Sequence, residues 1–263
     1  MRLREIFIVS KGTKVILTIT FSVSLLALLF AFFYYRRINR AEDPRITRAR
    51  EILLEFEKVS GSLAGFDAFP VLDSAAAVFK SLPDYACSFE IGVIYNNKSS
   101  TLLIMAIYDS TISNSEKLSL LGLSGNYCDS SITCYNRWKA EWGNLSSEEI
   151  SLKLRQLMLE DDSRFKKINF DRVFERRVKN ILTAQIETDR RLSVSMTNKG
   201  TIYRHLQKQD SALICFREAL ELWEDNRTAK SNLSVLMGGE PVKPTLLESL
   251  FPPDKKKKQI IIK

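Results

Sequence analysis

The 263-residue chain is 45% hydrophobic and 27% charged, which is the composition of a folded protein, and its 10 Gly and 7 Pro are too few for a loop-rich β fold or a disordered polymer. Its net charge of +8 sits at the ends: seven Lys/Arg against Glu5 give +6 over residues 1–40, six against Glu248 and Asp254 give +4 over 241–263, and the body between carries −2. A near-neutral body has no basic stripe for phosphates, so nucleic acid is excluded as an expected partner.

Residues 1–14 are a short basic flank, and residues 15–35 follow without a charge. As a helix, 21 residues span a hydrocarbon core of about 30 Å. Lys11 and Lys14 stand before the run, Arg36 and Arg37 after it, and Phe32, Phe33, Tyr34 and Tyr35 form an aromatic belt at the second interface. A cleaved signal peptide has a shorter apolar stretch ending in small residues, whereas this one ends in bulky aromatics and arginines. The expectation is a single-pass anchor that contacts the lipid bilayer through residues 15–35. Both flanks are positive, so the side on which the body lies stays open.

Beyond the anchor the pattern is helix after helix. Asp43-Pro44 marks a helix start. Ile46, Ala49, Leu53, Phe56 and Val59 recur near a 3.6-residue period until Gly61. A second helix is expected over 66–82, with Pro70 confined to its first turn, and a third over 84–108. After a Ser/Asn-rich break at 109–115, a fourth runs over 116–142 with an interruption at 122–125. Ser146 and Glu149 have capping-box spacing, and further helices are expected over 147–160 and 164–187. Strand alternation is lacking, so the fold class is all-α: the apolar faces must be buried helix on helix, in a solenoid or an irregular bundle.

Residues 193–237 decide which of the two is expected. Gly200 and Tyr203 stand in a first helix, Ala212, Phe216 and Ala219 in a second, and the second ends in Leu220-Glu221-Leu222-Trp223. Small residues at Gly200, Ala212 and Ala219 allow two helices to approach closely, while Tyr203 and Phe216 fill the space between them. The segment resembles a tetratricopeptide repeat. Ser195 and Ala229, Asn198 and Asn232, and Gly200 and Ser234 are each offset by that family's period of about 34 residues, so another first helix is expected near Asn226 as a capping helix. Met196, Lys199 and Glu224 depart from the family's usual Trp, Leu and Pro.

The resemblance implies a repeat with its capping helix over 190–237, degenerate repeat-like hairpins over 43–187, and a disordered basic tail over 241–263. Together these make a tetratricopeptide-like α-α superhelix behind a transmembrane helix. It further implies a protein or peptide partner held on a concave face that includes Val194, Thr197, Thr201, Arg204, His205, Thr228 and Ser231. Some family members clamp a terminal carboxylate with Lys and Asn; this chain has Thr197 and Thr201 at the matching positions, a departure that speaks against that ligand. The layout also resembles bacterial envelope proteins, which places the anchor in the bacterial inner (cytoplasmic) membrane. A structural or assembly factor of the envelope, acting through helix packing or dimerisation, is the alternative.

Chemistry is not expected. His205 is the only histidine, so a hydrolase His base or a His-pair metal site has no second member. Cys87, Cys128, Cys134 and Cys215 form no CxxC pair, and Gly61 and Gly65 no phosphate loop. Trp138, Trp142 and Trp223 read as helix packing, and Asp161-Asp162 as a helix start. The reading is a scaffold without catalytic residues, metal, cofactor or small-molecule substrate.

Overall fold

In the computed structural model the chain is described over residues 11–39, 42–59, 69–166 and 168–243, and all regular structure there is helical. The expected helix end at Gly61, the first residues of the 66–82 helix and most of the basic tail lie outside the described residues. The first helix, α1 (Lys11–Asn39), is long and apolar enough over Lys11–Tyr34 to cross a membrane, and none of that window is buried against the body. Phe30 stacks on Tyr34 and Phe32 meets Phe33 edge-on, so the aromatic belt is preformed along the helix. Full-length protein is therefore expected to stay in the membrane pellet after carbonate and high-salt washing, because burial of this helix is insensitive to ionic strength. Release by salt alone would disprove the anchor.

The body holds α2 (Thr47–Val59), α3 (Phe69–Ser81), α4 (Phe89–Tyr108), α5 (Asn114–Trp142), α6 (Ser147–Leu157), α7 (Phe170–His205), α8 (Gln209–Leu222) and α9 (Arg227–Leu236). Several sequence expectations need correction. The turn at 43–46 precedes α2 rather than opening it, and the expected 84–108 helix begins only at Phe89, because residues 82–88 form turns. α5 runs through Gly122 and Gly125 without a break: isolated glycines weaken a helix without ending it, and α5 is packed along α4 and α7. The expected helices over 164–187 and from 193 are one 36-residue helix, α7. No Gly or Pro lies between Asn169 and Lys199, and Thr188 and Leu192 are buried at the supposed join. Two capping boxes start helices, the expected one at Ser146/Glu149 and a second at Ser113/Glu116.

Packing centres on α4, α5 and α7, with α8 and α9 along the C-terminal half of α7 and α6 along its N-terminal half. Two apolar clusters dominate the core: Ile46, Phe56, Leu72, Phe79 and Leu102 belong to one, Trp138, Trp142, Ile150, Phe174 and Ile181 to the other. α4 also buries a polar stretch from Asn96 to Thr101. Asn96, Ser99 and Ser100 find partners on neighbouring helices, whereas the buried Asn97 amide has none among the described residues. Ser99 and Ser124 each donate to the other's carbonyl, at 2.9 and 2.8 Å, and Ser131 donates to the Gly92 carbonyl at 2.8 Å. The Asn96 side-chain oxygen Oδ1 accepts from Ser195 at 2.9 Å and Asn198 at 3.0 Å. Such a seam adds little net stability per bond but fixes helix register, since a slip would strand every partner in a low dielectric. Buried Lys98 is held the same way, 2.5 Å from Asp73 and over the rings of Phe69 and Tyr127.

Candidate functional site

The segment that carries the repeat resemblance folds into the C-terminal half of α7 packed on α8 and α9. Gly200 faces Phe216 so closely that a Cβ there would lie 2.6 Å from the ring, and Ala212, Phe216 and Ala219 are fully buried. Tyr203 lines the same cluster with Met196, Cys215 and Ala229. Small residues thus allow the close approach, and the aromatic rings occupy the volume it leaves.

A residue that the sequence reading used only as a helix start fastens the three helices. The Asn226 side chain caps α9 by accepting from Ala229 N–H at 3.0 Å, while its amide donates to Ser193 at 2.8 Å and Thr197 at 2.9 Å. Ser193 in turn donates to the Ala219 carbonyl at 2.6 Å. Asn before a helix signals a cap; nothing local signals that its amide reaches another helix.

Two of the residues expected on a concave face are interior. Val194 is packed away from solvent and Thr197 is 3% exposed, its hydroxyl committed to the Ser193 carbonyl and to Asn226, so neither presents surface to a partner. Helical spacing places Thr197 one turn and Val194 two turns from Thr201, and Asn226 at the start of α9 covers Thr197. The others are partly or wholly open; Thr201 and Arg204 lie where α7 and α9 meet, whereas His205 lies near Lys117 of α5. Thr201 accepts from the Asn232 side-chain amide at 3.2 Å, and Arg204 donates to Asn232 Oδ1 at 3.5 Å. Thr228 is exposed, Ser231 and His205 half-buried. Burial, with Arg204 and Lys117 nearby, pushes the His205 imidazole below its usual range, so it stands neutral at physiological pH.

At the other end of the body lies an ionic cluster that sequence reasoning missed, because charged residues on helices ordinarily face water. Arg45 forks onto the Asp43 carboxylate at 3.0 and 2.8 Å and reaches Asp84 at 2.7 Å. Arg177 of α7 donates to the Asp84 carbonyl at 2.6 Å and lies 3.6 Å from the centre of the Tyr85 ring. The Phe165 ring sits 5.0 Å from the Arg45 guanidinium, and Arg50 pairs with buried Glu90 at 3.2 Å. Burial alone would lower Arg45, yet the hydrogen bond and charge of Asp43, with Asp84, hold it above its usual range. Burial pushes the Asp84 carboxyl up, and the two arginines pull it only part of the way back. Glu90 is held below the usual carboxylate range: burial would raise it, but Arg50 and Arg177 outweigh that. The cluster bolts residues 43–46 to the 82–88 turns, to α7 and to Phe165.

Cys128 and Cys215 are buried, and Cys87 and Cys134 half-buried. Burial pushes Cys128 up to about 12 and Cys215 and Cys87 up to about 11. Trp138 and Trp142 are buried, and Trp223 lies under the Arg190 guanidinium at 4.7 Å. Among the described residues no group of three His, Cys, Asp or Glu side chains could hold a metal ion.

Fold and geometry define a class, an all-helical body behind one helix long and apolar enough to cross a membrane. No family model matches the chain, and no curated protein or solved structure matches it either.

Proposed function

We propose that this chain is a membrane-anchored scaffold of tetratricopeptide type, sited in the bacterial cytoplasmic membrane, which holds a protein or peptide partner and catalyses nothing. The observation that carries the reading is the hairpin packing, Gly200 against Phe216 with Ala212 and Ala219 buried, beside a polar shelf where α7 and α9 run together. Thr201, Arg204 and Asn232 join the two helices there, with Ser231 and exposed Thr228 extending the shelf. Neighbouring first helices side by side are what a repeat protein uses to build a recognition surface. Arg204, half-exposed and joined only by a long hydrogen bond, is the group best placed to anchor a partner's acceptor.

The test uses the full chain in its membrane, with a photocrosslinking residue in place of Thr228 or, as control, Ile186, which is 81% exposed elsewhere on α7. A discrete protein adduct is expected from position 228 and none from 186. Arg204→Ala should weaken the adduct while leaving stability within about 0.5 kcal/mol, as surface substitutions usually do. Ala212→Leu should overpack the hairpin, costing about 1–3 kcal/mol and a visible fall in Tm. The reading fails if Ala212→Leu is harmless, or if Arg204→Ala unfolds the body and leaves the adduct unchanged.

A further inference from the structure

We propose that the end of the body formed by residues 43–46 and 159–166 rests on the phospholipid headgroup layer, with Leu159, Arg164 and Lys166 as its lipid contacts. The inference rests on α1 spanning the bilayer. Its first support is the length of the tether. Three residues separate Asn39, the last of α1, from Asp43, and even fully extended the four Cα–Cα steps cover no more than about 14 Å. The helix runs four residues past the uncharged run, adding about 6 Å. Asp43 therefore lies within about 20 Å of the hydrocarbon edge, of which the headgroups themselves fill about 5–8 Å.

The second support is that Asp43 is not the start of a loose linker. It is 4% exposed and locked in the ionic cluster, so the tether length limits not one residue but the whole end of the body fixed to it. The 159–166 segment belongs to that end. Phe165 packs on the Arg45 guanidinium, and Asp162 feels the charge of Arg45. Phe165 N–H also bonds the Asp162 carbonyl, and Asp162 N–H the Leu159 carbonyl. Leu159 is consequently fixed near the attachment point, where it is 62% exposed with no protein surface covering it.

The third support is chemistry. The segment presents an apolar side chain beside cations, which is the pairing an interface between acyl chains and phosphates accommodates. Asp162 holds Arg164 by a two-pronged fork at 2.9 and 2.6 Å, so the guanidinium is pre-oriented with half its surface still open. Lys166 is exposed beside it, and Arg36, Arg37 and Arg40 lie in the sequence leading to the same end. Exposed Glu160 and Asp161 offset part of this charge, so contact depends on position more than on anionic lipid. The opposite end is remote by construction: α7 starts beside this cluster and its 36 residues carry the α7–α8 turn about 50 Å along its axis.

The experiment reconstitutes the full chain in phosphatidylcholine vesicles containing a minor fraction of phosphatidylglycerol. A fluorescent noncanonical residue replaces Leu159, exposed Gln209 at the α7–α8 turn, or Leu25 within α1. Quenching is read from nitroxides placed on the headgroup or within the acyl chain. Headgroup nitroxide should quench position 159 several-fold more than position 209, and acyl-chain nitroxide should quench position 25. Equal quenching at 159 and 209, with position 25 quenched, overturns the lipid-facing assignment while leaving the anchor intact. A position 25 insensitive to both nitroxides overturns the anchor and this inference together.

Discussion

Arg45→Met is expected to destabilise the body by about 3–5 kcal/mol, the largest effect of any single substitution considered, because it leaves two buried carboxylates facing each other without their cation. Arg45 is 7% exposed, so water cannot take over its role. Removing the charges together should cost far less. In Asp43→Asn/Arg45→Met/Asp84→Asn both carboxylates go with their shared cation, Arg177 loses Asp84 but keeps the charge of Glu90, and replacing a buried ionic group with neutral side chains of similar volume is often nearly neutral. Denaturant unfolding of the three proteins in one detergent checks this. If the triple variant is as unstable as Arg45→Met, the packing of the guanidinium between Tyr85 and Phe165, not its charge, holds the cluster.

The same cluster sets how stability depends on pH. Glu90 has a folded carboxyl below its unfolded value, so its contribution is complete above the usual carboxylate range and is lost as pH falls through its folded value. Asp84 acts in the opposite sense, since its raised carboxyl takes a proton more readily folded than unfolded. Glu90→Gln should accordingly lower stability at neutral pH and flatten the loss below about pH 4. An unchanged acid limb would show that other carboxylates dominate it.

Four helical glycines should respond to one substitution with opposite signs. Gly→Ala in a helix interior gains up to about 1 kcal/mol from backbone preference, so the neighbours decide the outcome. At Gly92 a Cβ would meet the Tyr135 ring at 2.6 Å, and at Gly200 the Phe216 ring at 2.6 Å. Both rings are buried and packed on every side, so neither can swing away. Gly92→Ala and Gly200→Ala should each cost about 1–3 kcal/mol net, as overpacked cores do. At Gly122 and Gly125 nothing lies within 4 Å, and Ala there should raise stability by about 0.5–1 kcal/mol. Melting temperatures of the four variants separate the two classes. A stabilising Gly200→Ala would mean that α7 and α8 are further apart than the structure has them.

Much of the architecture was legible in the sequence because it depends on local or periodic signals. The uncharged run of 15–35 specifies a bilayer-length helix by composition alone. The 3.6-residue period finds the helices of the body, and the Ser146/Glu149 spacing starts α6 by chemistry within three residues. Gly200, Ala212, Phe216 and Ala219 read as close packing because size at helical spacing is itself the packing instruction. Other features depend on what is opposite in space. Whether Gly122 breaks α5 is decided by the helices packed along it, and whether 164–187 is separate from 193 onward is decided by burial at Thr188 and Leu192. Thr197 lies on the face that spacing predicts, yet Asn226 at the start of α9 covers it, and Val194 is buried as well. Arg45, Asp84 and Arg177 come from positions up to 132 residues apart in the chain, and a charged residue in sequence carries no mark of the partner that lets it be buried. Only the tertiary structure brings those partners together, and with them fixes which end of the body the anchor holds.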